Sequence, residues 1–123
     1  MTVKPFVILY VEDNDFVRES FAELLATADR RIVCVADGAG AREVLREQTV
    51  DLLVTDINLP DGSGLDVARE AFGHNPTLPV IVCSGQDLRD VARSLGPTAH
   101  PLSKPFELEE LEALVERLAR SAT

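Results

Sequence analysis

Residues 6–13 read Phe-Val-Ile-Leu-Tyr-Val-Glu-Asp, and residues 52–56 read Leu-Leu-Val-Thr-Asp. Each stretch is a short apolar run that ends abruptly in acidic side chains. A run of this length is typical of a strand that is buried on both faces of a parallel sheet. The two runs therefore predict strands whose carboxyl ends, at Glu12, Asp13 and Asp56, open into a site.

Similar runs recur along the chain and alternate with stretches of helical periodicity. Strands are predicted at 6–11, 31–35, 51–55, 80–83 and 99–102, and helices at 15–27, near 41–45, near 65–72, at 88–95 and at 107–120. This alternation predicts an α/β fold of five βα units, in which helices cover both faces of a five-stranded parallel sheet. With five units we expect the flavodoxin-like strand order 2-1-3-4-5. We also expect a single domain across residues 1–123, with no output domain.

The composition restricts the partners and the compartment. The chain of 123 residues carries a net charge of −9, which argues against nucleic acid because a phosphate backbone attracts lysine and arginine. No apolar stretch reaches the roughly 18 residues of a membrane span and no secretory leader opens the chain, so we expect a cytoplasmic protein without a membrane segment. Cys34 and Cys83 lie within apolar runs and are predicted to be buried structural thiols.

Three carboxylates are expected at one edge of the predicted sheet. In the order 2-1-3-4-5 the first and third strands are neighbours, so Glu12 and Asp13 should lie beside Asp56. Neighbouring carboxylates repel one another, and burial adds to the free-energy cost. A hard divalent cation relieves this repulsion, and magnesium prefers such oxygen ligands. Glu12, Asp13 and Asp56 are therefore predicted to hold a metal ion.

Phosphoryl transfer would use the same arrangement. A carboxylate such as Asp56 can attack phosphorus to form an acyl phosphate. The transferred group then needs positive charge and hydrogen-bond donors around its oxygens. Lys104, after the fifth strand, and the Ser84 hydroxyl with the Gly85 backbone, after the fourth strand, are predicted to provide them. Gly85 also has no side chain to block an approaching phosphodonor.

These motifs occur in the order that is typical of one family. The motifs are Glu12-Asp13, Asp56 followed by Leu59-Pro60 and Gly64, Ser84-Gly85, and Lys104-Pro105-Phe106. The ordered set resembles the receiver domains of two-component response regulators, and the resemblance covers essentially the whole chain. It implies that Asp56 accepts a phosphoryl group from a histidine kinase or a histidine phosphotransfer protein, with Mg²⁺ or Mn²⁺ bound.

The same resemblance implies further residue roles. The backbone carbonyl of Asn58 would be a metal ligand, and the Lys104–Pro105 peptide bond would be cis. No enzymatic activity is implied beyond self-phosphorylation and autodephosphorylation at Asp56. The phosphorylated chain would signal by altered binding to an unknown downstream protein, or would pass or drain phosphoryl groups within a relay.

Two positions raise separate questions. Receivers usually carry an aromatic residue three positions before the lysine, where its rotation couples to the Ser/Thr hydroxyl, but this chain has Pro101. We therefore expect the conformational switch to depend on Ser84 and the segment 85–100. Phe16, next to the predicted site, is either a partly buried packing residue or a docking contact for the phosphodonor.

The main alternative function is a small haloacid dehalogenase-like phosphatase. Asp13-Asn-Asp15-Phe-Val17 fits the D-x-D-x-V pattern of those enzymes, with Asp13 as the nucleophile. Ser84 and Lys104 would then supply the later serine and lysine, although the acidic pair expected after the lysine at a strand end is missing. A flavodoxin is disfavoured because an acidic first βα loop would repel a phosphate. A receiver-like adaptor that is not phosphorylated is disfavoured because the site residues are intact.

Overall fold

A five-stranded parallel sheet forms the centre of the fold. The computed structural model describes residues 5–27, 29–85 and 93–121, and in these ranges the sheet has the order β2-β1-β3-β6-β7. The strands are β1 (Phe6–Val11), β2 (Arg30–Val35), β3 (Leu52–Asp56), β6 (Val80–Ser84) and β7 (Ala99–Ser103). Numbered by βα unit this order is 2-1-3-4-5, so the predicted topology is confirmed.

Helices pack on both faces of the sheet, as predicted. Their bounds are α1 (Asp15–Leu25), α2 (Gly38–Glu47), α3 (Gly64–His74) and the last helix (Leu108–Ser121). Core residues of α2 and α3 pack with one face, and those of α1 and the last helix pack with the other. Within the described ranges no helix is both long and apolar enough to cross a bilayer.

The central strands alternate their side chains between the two core layers. Ile8 and Tyr10 of β1 belong to the layer under α1 and the last helix, whereas Val7, Leu9 and Val11 belong to the layer under α2 and α3. This alternation follows from the two-residue period of a strand. A strand buried on both sides is apolar along most of its length, and this is the pattern seen in the sequence.

A small ribbon between β3 and α3 was not predicted. It consists of β4 (Asn58–Leu59) and β5 (Gly62–Ser63), which pair antiparallel. Gly62, the first residue after the turn, has a φ of 151°, a conformation that favours glycine. The predicted helix at 88–95 lies mostly outside the described residues, and only 93–95 of it are seen as helical.

The edge strand β7 carries Pro101 at a position that needs no hydrogen bond from the sheet. The amide of Val80 donates to the Thr98 carbonyl, and the amide of Lys104 donates to the Ser84 carbonyl. In a parallel ladder the alternate residues of β7 then direct their backbone groups away from β6, and Pro101 is one of them. Proline is therefore accommodated at this edge, where its missing N–H also hinders pairing with another strand.

The two cysteines differ in environment. Cys83 of β6 is buried, as predicted. Cys34 is exposed, so its prediction as a buried thiol was wrong. The reason is that β2 is an edge strand, and its apolar run is covered less completely than the runs of the central strands.

Candidate functional site: an acidic hollow at the carboxyl edge of the sheet

The side chains of Glu12, Asp56 and Lys104 leave the sheet on the same face. Each lies two residues after a side chain of the core layer under α1 and the last helix. Those core residues are Tyr10, Val54 and Leu102. Since side chains alternate along a strand, the register of the sheet alone directs the three charged groups toward one another.

The loop after β1 is fixed by hydrogen bonds around Glu12. The Asn14 side chain caps α1 by accepting from the Val17 amide at 3.0 Å. The amide of Asn14 donates to Glu12 Oε2 at 3.2 Å, and the Arg18 guanidinium donates to the Glu12 carbonyl at 2.8 Å. Asp13 is exposed at the rim of the hollow, between these anchored residues. The role of Arg18 was not found from sequence, because its partner is a backbone carbonyl.

Three carboxylates converge on a site that fits a hard cation. One oxygen each from Glu12, Asp13 and Asp56 lie within 4.8 Å of one another. Glu12 is 5% exposed and Asp56 is 8% exposed. Burial, together with the neighbouring Asp56 carboxylate, raises the pKa of Glu12 to about 7, against the hydrogen bond from the Asn14 amide. Oxygen donors crowded in this way match the preference of Mg²⁺ or Mn²⁺.

Lys104 provides positive charge in this cluster. Its Nζ atom lies 2.7 Å from Asp56 Oδ1 and 3.9 Å from Glu12 Oε1. Burial opposes its charge, but the hydrogen bond to Asp56 and the two negative charges outweigh burial and raise the pKa of Lys104. Its backbone is held by the bond from its amide to the Ser84 carbonyl, and the following Lys104–Pro105 peptide bond is cis.

The predicted site residues meet in one hollow of about 450 Å³, which we call the acidic hollow. Its lining consists of Glu12, Asp13, Asn14, Val17, Asp56, Asn58, Cys83, Ser84, Gly85 and Lys104. Ser84 is buried at the end of β6, whereas Gly85 is exposed, with open space where a Cβ would lie. Pro101 is exposed on β7 and is not among the described residues that line the hollow.

The chain after Asp56 turns sharply because Gly64 allows it. The Gly64 amide donates to the Ile57 carbonyl at 2.7 Å. A Cβ at this position would overlap the Asp56 carbonyl oxygen and would lie 2.8 Å from Thr55 Oγ1. The resemblance pointed to Gly64, but the sequence alone did not reveal this close approach. The buried Thr55 hydroxyl donates to the Asp56 carbonyl at 2.9 Å and was also missed.

Phe16 is 78% exposed, so its interpretation as a packing residue was wrong. Its neighbour in the chain, Val17, lines a second, mainly apolar hollow of about 400 Å³ beside Lys104, and Phe16 itself is not among the described residues that line it. We call this second hollow the apolar hollow. It is lined by Glu12, Val17, Phe21, Lys104, Pro105 and Phe106. The rings of Phe21 and Phe106 meet edge to face at 5.9 Å. The acidic hollow therefore has an apolar surface directly beside it.

A sequence model of the response regulator receiver domain matches residues 8–116. The chain belongs to this receiver domain family. Among curated proteins, the probable transcriptional regulatory protein TcrX of Mycobacterium tuberculosis is 33% identical over 120 residues, which are 95% of this chain and 51% of TcrX. The response regulator protein PmrA of Pseudomonas aeruginosa is 35% identical over 118 residues, or 94% of this chain and 53% of PmrA. The chain thus spans about half the length of these relatives.

Solved receiver structures have the same fold. A response regulator receiver protein from Sinorhizobium medicae superposes with a TM-score of 0.87 at 28% identity, covering 99% of this chain and 100% of that one. The chemotaxis response regulator CheY4 of Vibrio cholerae superposes with a TM-score of 0.82 at 21% identity, covering 94% and 99%. The second likeness, at its low identity, concerns the fold only.

Family membership settles the choice between the two main functional hypotheses. Receiver domains are the phosphoacceptor modules of two-component response regulators, and the match extends over nearly all of this chain. The haloacid dehalogenase-like alternative, with Asp13 as nucleophile, was therefore wrong. A receiver domain implies a histidine kinase or a phosphotransfer protein as its partner. Several relatives are named as transcriptional regulatory proteins, so a nucleic-acid partner is not excluded for those related proteins.

Proposed function

We propose that Asp56 is the residue of this receiver domain that accepts the phosphoryl group. The observation that carries the proposal is the position of its carboxylate, which is nearly buried, 2.7 Å from the Lys104 ammonium and grouped with Glu12 and Asp13. Asp13 is exposed and lacks a cation at this distance among the described residues. Of the clustered carboxylates, Asp56 therefore best combines access from the hollow with neutralisation of developing charge.

A divalent cation fits the donor set of the acidic hollow. Glu12, Asp13, Asp56 and the backbone carbonyl of Asn58 would hold Mg²⁺ or Mn²⁺, since all four are oxygen donors at the rim or floor of this hollow. When bound, the cation supplies positive charge that neutralises phosphoryl oxygens. Lys104 alone offsets only one of the three carboxylate charges.

The transfer itself is a displacement at phosphorus. An oxygen of the Asp56 carboxylate forms a bond to phosphorus while the P–N bond of a phosphohistidine breaks, and the imidazole leaves with that electron pair. Lys104 Nζ, which binds Asp56 Oδ1 before the reaction, then binds a phosphoryl oxygen. The Ser84 hydroxyl and the Gly85 amide bind another. Attack of water on the same phosphorus reverses the modification as autodephosphorylation, and no other catalytic activity is proposed.

The phosphodonor docks over Phe16 in this proposal. Phe16 exposes most of its ring on α1, and the next residue, Val17, lines the apolar hollow together with Phe21 and Phe106. An exposed aromatic next to an apolar depression is a common anchor for a partner protein. The partner would be a histidine kinase or a histidine phosphotransfer protein that presents its phosphohistidine to Asp56.

The phosphorylated domain signals through protein binding or relays the group onward. Phosphorylation replaces the single negative charge of the Asp56 carboxylate by nearly two on the acyl phosphate, and these attract Ser84 and Lys104. With Pro101 in place of an aromatic side chain, the change is proposed to spread through Ser84 and the segment that follows it. The downstream target is a protein of unknown identity.

Labelling with a phosphodonor tests the proposal. Wild-type protein, Asp56→Asn and Asp13→Asn are incubated with Mg²⁺ and a small-molecule phosphodonor, and the acyl phosphate is trapped by reduction and located by peptide mass spectrometry. Wild type and Asp13→Asn should be modified at Asp56, the latter more slowly, and Asp56→Asn should remain unlabelled with its fold intact. Stoichiometric labelling of Asp56→Asn at an unchanged rate would overturn the assignment.

A further inference from the structure

Asp61 joins two elements that are distant in the sequence. Its Oδ1 atom accepts from the Gly38 amide at 2.8 Å, and its Oδ2 atom accepts from the Ala39 amide at 2.9 Å. Gly38 and Ala39 begin α2, whereas Asp61 lies in the turn of the β4–β5 ribbon. One carboxylate thus occupies two amides at the start of a helix that follows a different strand.

The β4–β5 ribbon carries a proposed metal ligand. Asn58, whose carbonyl is assigned to the metal, opens the ribbon and pairs with Ser63. The base of the ribbon is closed by the hydrogen bond from the Gly64 amide to the Ile57 carbonyl. Its outer end consists of the turn with Asp61, which is exposed. The bond pair fastens this outer end to the start of α2, while the buried Leu59 side chain packs the ribbon against the core.

We propose that Asp61 is a positioning residue for the acidic hollow: by tying the ribbon to the start of α2 it holds the Asn58 carbonyl in the direction that the metal requires. The inference rests on the proposed role of Asn58. It assigns Asp61 no contact with the phosphoryl group. Asp61 acts through the backbone between Asn58 and the turn, so its loss should weaken metal binding. The rate of phosphorylation should fall only because less metal is bound.

Helix capping alone does not account for Asp61. The start of α2 already has an N-cap, since the Asp37 side chain accepts from the Gly40 amide at 2.8 Å. Asp37 belongs to the chain just before α2, so its hydrogen bond stabilises the helix without involving the ribbon. Asp61 belongs to the ribbon, and its carboxylate likewise accepts hydrogen bonds from amides at the start of α2. The amides of Gly38 and Ala39 lower the pKa of Asp61, which keeps it ionised as an acceptor at neutral pH.

Asp37 also supplies a matched control. Asp37→Ala and Asp61→Ala each remove one negative charge from the start of α2, with the loss of one accepted hydrogen bond in the first and of two in the second, but only the second releases the ribbon from α2. Asp61→Asn removes the charge and keeps one acceptor oxygen, which separates the loss of charge from the loss of the contact. All three variants are made in the full chain.

The first measurement is the dissociation constant for Mg²⁺, by calorimetry on the unphosphorylated protein. We expect Asp61→Ala to raise it about tenfold, the lower end of the range for groups that orient metal ligands. Asp61→Asn should raise it by less, and Asp37→Ala should leave it within about twofold of the wild-type value. Amide hydrogen exchange of residues 57–63 should become faster in Asp61→Ala and not in Asp37→Ala.

Three results would overturn the proposal. These are an unchanged Mg²⁺ affinity in Asp61→Ala, an equal loss of affinity in Asp37→Ala, and an equal loss in Asp61→Ala and Asp61→Asn, which would assign the effect to charge alone. Labelling at saturating Mg²⁺ separates this inference from the proposed function. Asp61→Ala should then regain the wild-type rate, whereas a wrong assignment of Asp56 would appear as labelling elsewhere in the wild-type protein.

Discussion

Lys104 Nζ lies 2.7 Å from Asp56 Oδ1, although one residue follows the outermost strand and the other ends the central one. The same ammonium lies 3.9 Å from Glu12 Oε1. It therefore offsets part of the negative charge of two nearly buried carboxylates, while Asp13 adds a third at the rim. The site keeps an excess of negative charge that favours a cation, and it keeps a lysine that can move from a carboxylate to a phosphoryl oxygen.

Replacing Lys104 by methionine should separate metal binding from chemistry. The substitution keeps an unbranched side chain that is one atom shorter and removes its charge, so repulsion of the metal by the ammonium disappears. We expect Mg²⁺ to bind at least as tightly as in wild type, while phosphorylation by a small-molecule donor slows about a hundredfold, the usual effect of removing one donor to a developing anion. Calorimetry and labelling kinetics at saturating Mg²⁺ measure the two quantities. Lys104→Arg is the control that keeps the charge, and an unaffected rate in the methionine variant would refute the role.

Gly64 should be intolerant of even one added methyl group. A Cβ there would overlap the carbonyl oxygen of Asp56 and crowd Thr55 Oγ1, and backbone atoms cannot move aside as a flexible side chain can. Gly64→Ala should therefore lower the free energy of unfolding by about 1–3 kcal/mol. It should also slow phosphorylation, because the strand end that carries Asp56 is displaced. Chemical denaturation and labelling kinetics measure these effects.

Gly73 provides the control for that substitution in the same helix. Nothing lies within 4 Å of a Cβ at Gly73, which is exposed near the end of α3. Gly73→Ala should raise the free energy of unfolding by about 0.5–1 kcal/mol through helix propensity, without changing the labelling rate. If both alanine variants behaved alike, the close approach of Gly64 to Asp56 would not be the cause.

The strands could be predicted because burial on both faces leaves a continuous apolar run. The same runs located Glu12 and Asp56, since Glu12 directly follows the last apolar residue of β1 and Asp56 ends β3 two residues after Val54. Lys104 was found only in combination with these residues, as a lone lysine before a proline says little by itself. The convergence of the three depends on register, which the confirmed strand order provides.

Contacts between distant backbone and side-chain atoms could not be predicted. The β4–β5 ribbon consists of two-residue strands, which are too short to show a period. Asp61 binds amides of α2, and a carboxylate in an Asp-Gly turn is otherwise an ordinary turn residue. The sequence left packing and docking both open for Phe16, because one apolar side chain gives no sign of how its helix is rotated. Only the structure fixed its exposure.

The metal-free protein should lose stability as the pH rises toward neutrality. Burial and the neighbouring Asp56 carboxylate raise the pKa of Glu12 from 4.5 to about 7, so the folded state binds the proton more tightly than the unfolded state. This contribution is fully present below pH 4.5 and is lost as the pH rises through about 7, with a magnitude of at most about 3 kcal/mol.

Denaturation with a chelator at several pH values measures this effect. Glu12→Gln cannot ionise at that position, so it should lack this part of the pH dependence. Added Mg²⁺ should stabilise the wild-type protein more strongly at pH 8 than at pH 5, because metal binding requires the deprotonated carboxylate. Parallel pH profiles for wild type and Glu12→Gln would argue against the raised pKa.

Removing the Phe16 ring should impair phosphotransfer from a protein and spare the chemistry. Because Phe16 is 78% exposed, Phe16→Ala should change the free energy of unfolding by less than about 0.5 kcal/mol. Transfer from a histidine phosphotransfer protein that phosphorylates wild type should slow about tenfold, which corresponds to one moderate anchor in an interface. The rate with a small-molecule donor should stay the same. Leu24→Ala, which removes a 58% exposed side chain two turns further along α1, should have a smaller effect. Equal slowing with both donors would mean that Phe16 supports the site rather than the docking of a partner.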